Sequence, residues 1–197
     1  MTALFTREPN SRQTTPCNSK RQYLAVEFKL FQFEGDSQIN CTIEFTDNKL
    51  SLSYYLTNLT DIVWPNFQGI RRANELWKST CFELFLGVAG QQDYTEFNIS
   101  PSGKWNCYKF ESYREGMRED TVWKLVDLTS CDSKLSCGFI GDTSNTSSLR
   151  IGPAAILQRS SNEFQYFALA HAARPDFHDP KNHVLIKNHV LISNNNL

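Results

Sequence analysis

The chain has 197 residues, of which 40% are hydrophobic, 21% charged and 13% aromatic. That is the length of one domain and the composition of a globular one, which excludes a disordered or fibrous chain. The 20 basic and 21 acidic side chains leave a formal charge of −1, excluding the broad basic footprint of a nucleic-acid or anionic-membrane binder.

Residues 1–21 are polar, carry Pro9 and Pro16, and read as an extended N-terminal arm. The arm holds no apolar core of signal-peptide length, and nowhere does the chain offer a membrane-spanning run. From Tyr23 the period becomes two: Leu24, Val26, Phe28, Leu30 and Gln32 alternate with Ala25, Glu27, Lys29, Phe31 and Phe33. Alternating runs at 39–45 and 50–56 flank the turn-rich Thr46-Asp47-Asn48-Lys49 and predict a hairpin. Residues 57–76 read as an irregular crossing broken by Pro65 and Gly69. Further strand-like runs follow at 79–88, 93–100, 104–110, 121–129, 134–140, 149–157 and 164–170. The polar separator at 141–148 reads as a mobile loop. Short helical turns are expected around 71–77 and 114–120. Many short strands with closely spaced turn signals predict an all-β fold, an antiparallel β-sandwich or barrel, in one domain over residues 22–187. The hexapeptide Lys181–Ile186 is repeated unchanged as Lys187–Ile192. One copy should extend the last strand, and the other should trail within a C-terminal tail of residues 188–197.

The six cysteines (Cys17, Cys41, Cys81, Cys107, Cys131 and Cys137) have no CxxC metal spacing, and a chain this long needs no disulfide staple. They are expected to be reduced, with Cys81 and Cys107 acting as small hydrophobes inside strands. The expected location is cytoplasmic, which makes the sequons at Asn40, Asn58, Asn98 and Asn145 chance matches.

Residues 76–117 carry the most information. Strand parity puts Glu83 with Cys81 and Phe85, and puts Glu96 and Asn98 with Tyr94. The short 87–92 connection makes these strands antiparallel neighbours, so Glu83, Glu96 and Asn98 share one sheet face. Polar alternation of this kind is what a solvated outer face produces. It also suits a ligand face, because carboxylates and amides hydrogen-bond hydroxyls while indole rings stack on a sugar ring. Trp77 and Trp105 stand at the strand margins to rim that face. Arg72, Tyr113 and Arg114 are placed to fold over it, and His171 to reach it from the last strand. The competing expectation is a structural network in which the two glutamates pair with Arg72 and Arg114.

The block LWKSTCFELF, YTEFNISPSGKWNCYKFESYREGM and the later ARPDFH resembles the DOMON-like family, related to family 9 carbohydrate-binding modules. The match runs through Trp77, Cys81, Glu83, Glu96, Asn98, Pro101, Gly103, Trp105, Tyr113, Arg114 and Met117, with Arg174 standing where lysine is usual. The resemblance implies a jelly-roll-like sandwich and a non-catalytic ligand-binding role, the ligand being a carbohydrate or similar polyhydroxylated small molecule. It also implies alternatives: haem held by Met117 and His171, a structural calcium without an assignable ligand set, or a carbohydrate-active enzyme. The candidate groups for the enzyme are Glu83, Glu96, His171, Asp176 and His178. The Asp176–Asp179 stretch with His183 suggests a metal cluster, but polar surface is the expected reading. No metal ligands, no resident cofactor, no nucleic acid and no membrane partner are predicted, and the oligomeric state is left open.

Overall fold

Alternating apolar residues become strands wherever the sequence supplies them. The structure, a computed structural model, describes residues 24–46, 48–141, 148–187 and 190–192. The N-terminal arm, Cys17 and residues 142–147 of the polar loop lie outside the described residues.

The first hairpin unit comprises β1 (Leu24–Gln32), β2 (Gln38–Phe45) and β3 (Lys49–Leu56). After the irregular crossing come the two-residue strand β4 (Arg71–Arg72), β5 (Cys81–Val88), β6 (Tyr94–Ile99), β7 (Lys104–Phe110) and β8 (Arg118–Glu119). The chain then forms β9 (Lys124–Cys131), β10 (Lys134–Ile140), β11 (Ser148–Gln158), β12 (Phe164–Ala168), β13 (Val184–Lys187) and β14 (Val190–Ile192).

Among the described residues the helical segments are the 3-10 turns Leu76–Lys78 and Pro180–Asn182. The helical turn expected at 71–77 therefore survives only at its end. Arg71 and Arg72 pair in parallel with the edge of β7, and Glu75 adopts φ 59°, which no right-handed helix admits. The turn expected at 114–120 is a strand return instead. Arg114 (φ 58°) and Gly116 (φ 68°) reverse the chain, and β8 then pairs with β7.

All the strands belong to one hydrogen-bonded sheet, in the order β4-β7-β6-β5-β11-β12-β1-β2-β3-β10-β9, with β8 and β13–β14 attached at its margins. The sheet is a curled, open half-barrel. Its two halves meet at one short seam, where Phe31 and Gln32 of β1 pair with Ala168 and Phe167 of β12. Curling brings the halves face to face over a shared core: Tyr54 lies 5.0 Å from Phe82, and Phe97 lies 5.0 Å from Phe139. The described part of the second hexapeptide copy does not trail. β14 folds back on β13, with Leu185 opposite Ile192 and Lys187 opposite Val190, so the duplication pairs with itself.

The two halves bury their faces differently. In β1, β2 and β3 buried residues alternate with partly or fully exposed ones, as a sheet with one wet face requires. In β5, β6 and β7 nearly every residue is buried. Phe82, Leu84, Phe97, Ile99 and Cys107 face the shared core, while Phe85, Tyr94, Tyr108 and Phe110 build a second core on the opposite face with Ile156 and Phe177. That face is covered by the Leu76–Lys78 turn and by the loops around residues 111–117 and 170–183. The described cysteines are free, and four of them are buried; burial pushes the Cys81 and Cys107 thiols well up, so they stay protonated and apolar.

Candidate functional site

The covered face of β5–β7 carries the polar residues singled out by the sequence. Glu83 stands opposite Asn98 and Phe85 opposite Glu96, so the two glutamates are diagonal neighbours on paired strands. Their exposure is only 3% for Glu83, 4% for Glu96 and 0% for Asn98, which overturns the solvated-face reading. Asn98 Nδ2 donates to Glu96 Oε1 at 2.6 Å, and the Cys81 thiol donates to Asn98 Oδ1 at 3.4 Å. Glu96 Oε2 has no hydrogen-bond partner although it is buried. An unsatisfied buried carboxyl oxygen is costly.

Above these carboxyls opens a cleft of about 380 Å³. Its walls are aromatic: Trp77, Phe85, Phe110, Tyr166 and Phe177, with Arg114, Met117 and His178 at the rim. The Leu76–Lys78 turn presents Trp77 edge-on to Tyr108 at 6.0 Å. Tyr94 stacks on Phe110 at 4.8 Å. Its hydroxyl accepts from the Arg114 backbone N–H at 3.2 Å and shares a hydrogen bond with His178 Nδ1 at 2.7 Å. With Tyr94 donating its free hydroxyl proton to Nδ1, the His178 proton sits on Nε2, which faces Glu96 Oε2 at 3.7 Å. Asp176 holds the rim, accepting from Arg114 at 2.9 Å, from the Tyr113 hydroxyl and from the His178 backbone N–H at 3.2 Å.

Burial, reinforced by repulsion from Glu96, pushes Glu83 well above the usual carboxyl range. Burial likewise raises Glu96 to about 7, against the Asn98 hydrogen bond and the Arg114 charge that favour its ionised form. His178 is lowered to about 4, first by burial and then by the Arg114 guanidinium. At neutral pH the imidazole is therefore uncharged and the glutamate pair retains proton. Burial raises Asp176, but the bonds from Tyr113 and Arg114 outweigh it and hold this carboxyl below its ordinary value. The site thus combines an acceptor-rich floor with flat apolar walls and an ion-paired rim.

Of the residues expected at the site, Trp77, Glu83, Glu96 and Arg114 line the cleft, and Asn98 lies beneath it as the support of Glu96. Four do not line it. Arg72 sits at the sheet edge, stacked 4.3 Å over Trp105 and donating to Asn106 Oδ1 and to the carbonyls of Asp120 and Trp123. Trp105 points to the shared core, packed on Phe139, because it has the parity of Cys107 rather than that of Asn106. Tyr113 acts outside the cleft through Asp176. His171 is turned to the Phe31 carbonyl at 2.8 Å. The expected glutamate–arginine network does not form either, since Arg72 bonds Asn106 and Arg114 bonds Asp176. Phe85, Phe110, Tyr166 and Phe177 were not foreseen as walls. The parity of Phe85 with Glu83 was the available signal.

Met117 lines the cleft and His171 does not, so the pair named for haem is not brought together and the residues do not fit that ligation. Among the described residues no three His, Cys, Asp or Glu side chains group as a metal site. His183, part of the suspected cluster, bonds the Phe177 carbonyl at 2.8 Å and so fastens the cover. A larger cleft, about 540 Å³, opens on the other face of the same strands. Its charged groups already have partners, as in the Lys109–Asp93 pair at 2.5 Å and the Asp120 carboxylate accepting from the Val122 N–H at 2.8 Å.

No family model and no curated protein matches the chain. A solved structure named "a putative carbohydrate-binding protein from Bacteroides uniformis ATCC 8492" is similar with a TM-score of 0.57 and 14% identity, covering 80% of this chain and 84% of that one. At that identity the likeness shows a shared fold.

Proposed function

We propose that the chain is a non-catalytic ligand-binding domain of the DOMON-like, jelly-roll kind, taking a carbohydrate or similar polyhydroxylated small molecule in the Glu83–Glu96 cleft. The observation that carries this reading is a buried, unpartnered carboxyl oxygen, Glu96 Oε2, at the base of an aromatic-walled cleft. A ligand donor would satisfy that oxygen, and Trp77 and Phe177 line the cleft with the kind of ring that stacks on a sugar. The shared fold with a protein whose name describes carbohydrate binding points the same way. The free, buried cysteines support the cytoplasmic setting.

The test is a glycan array followed by thermal-shift measurement on the intact chain. A sugar found on the array should raise the melting temperature of the native protein and should lose that effect in Trp77→Ala. If no glycan is retained, or if the Trp77→Ala protein responds as fully as the native one, the reading fails.

A further inference from the structure

We propose that the occupant of the cleft carries a protonated amino group, seated between Glu83 and Glu96 with its ring against the aromatic walls. This rests on the binding reading above and narrows it from polyols in general to amino-bearing ligands, amino sugars among them.

The argument is one of donors and acceptors. The floor presents carboxyl oxygens, and Glu96 Oε2 lies 96% buried by residue with no partner. A hydroxyl brings one donor and two lone pairs, and those lone pairs would then need donors of their own. With its carboxyls ionised, the floor supplies few. Asn98 Nδ2 is spent on Glu96 Oε1, and the Nε2 proton assigned to His178 already faces Glu96. An ammonium brings three donors and no lone pair, which matches the acceptor-only floor that the two glutamates form once they give up their protons. The walls agree, because Trp77, Phe85 and Phe110 line the same space and a cation is attracted to aromatic ring faces. The charges agree as well. Glu83, Glu96 and Asp176 stand against the Arg114 guanidinium, and Arg114 is already paired with Asp176 at 2.9 Å. The Cys81 thiol, Tyr94, Tyr108 and the neutral imidazoles of His178 and His183 around the floor contribute no cation at neutral pH. The glutamate pair, raised by burial, thus retains as a proton part of the positive charge that an ammonium would bring.

The experiment compares matched pairs on the intact chain by calorimetry at pH 7: glucosamine against glucose, and benzylamine against benzyl alcohol. The amine of at least one pair should bind about tenfold more tightly than its neutral partner. Its binding should also release protons, read from the buffer dependence of the heat. Glu96→Gln should erase the preference, and Glu83→Gln serves where that variant folds poorly. Equal or tighter binding of the neutral members would overturn the amine inference while leaving the binding function intact. No binding of any of the four probes would overturn the inference too, and the glycan array then decides the binding function separately.

Discussion

β1–β3 and β5–β7 are built from similar alternating runs, yet the first set keeps one wet face and the second is buried on both. In the first set the alternate residues are Glu27, Lys29 and Asn40, which water solvates at no cost. In the second they are Glu83, Glu96, Asn98 and Asn106, roofed by loops that carry Trp77, Arg114 and Phe177. The same period-two pattern therefore has two meanings, and what lies over the face decides between them. A polar residue under a roof must find a partner or meet a ligand. Asn98 and Asn106 find partners; Glu96 leaves one oxygen without any.

The shared core should be the most sensitive region, since both halves depend on it. Phe139→Ala removes the ring that packs on Phe97 and Trp105 and should cost about 3–5 kcal/mol in denaturant unfolding. A much smaller loss would mean that the two halves are not coupled through this core.

The roofed face should next reveal itself through pH. Glu96, raised from 4.5 to about 7 in the folded chain, keeps a proton that the unfolded chain has lost. The native state then binds more protons, so this group's contribution to stability falls as pH rises from 4.5 to about 7. His178, lowered from 6.5 to about 4, works in the opposite direction and costs stability as pH falls through that interval. Glu96→Gln should accordingly gain on the native protein as pH is raised from 4.5 to 7, by about 3 kcal/mol. Parallel pH–stability curves for the two proteins would contradict a buried, protonated Glu96.

Tyr94→Phe removes the hydroxyl that bridges the Arg114 N–H to His178 Nδ1 and should cost about 1–2 kcal/mol. The His178 ring, no longer fixed in one tautomer, should show the change in its nitrogen NMR shifts. On the open half, Lys29→Ala, which alters an exposed side chain of β1, should change stability by no more than about 0.5 kcal/mol.

How much of this was legible in the sequence varies by element. The alternation from Leu24 to Leu56 shows the first three strands, because a one-sided sheet writes its burial into every second residue. The shared face of Glu83, Glu96 and Asn98 follows from parity and a short connection. Trp105 was placed at the rim by its position at a strand start, although its parity with Cys107 sends it to the core. Arg72 lies close to Trp77 in sequence, but its backbone pairs with β7 at the sheet edge and carries its side chain away from the cleft. The roof was not legible, because Phe177 and His178 come from an irregular loop with no period and meet Phe85 across more than 90 residues of chain.

The central claim is that the Glu83–Glu96 cleft is where this chain meets its ligand. Amide and indole NMR, followed while glucosamine is titrated into the labelled protein, tests it most directly. The account predicts shifts concentrated at the Trp77 indole, Glu96, Arg114, Phe177 and His178, with β1–β3 unchanged. Shifts confined to the cleft around Asp93 and Lys109, or no shifts at all, would contradict it.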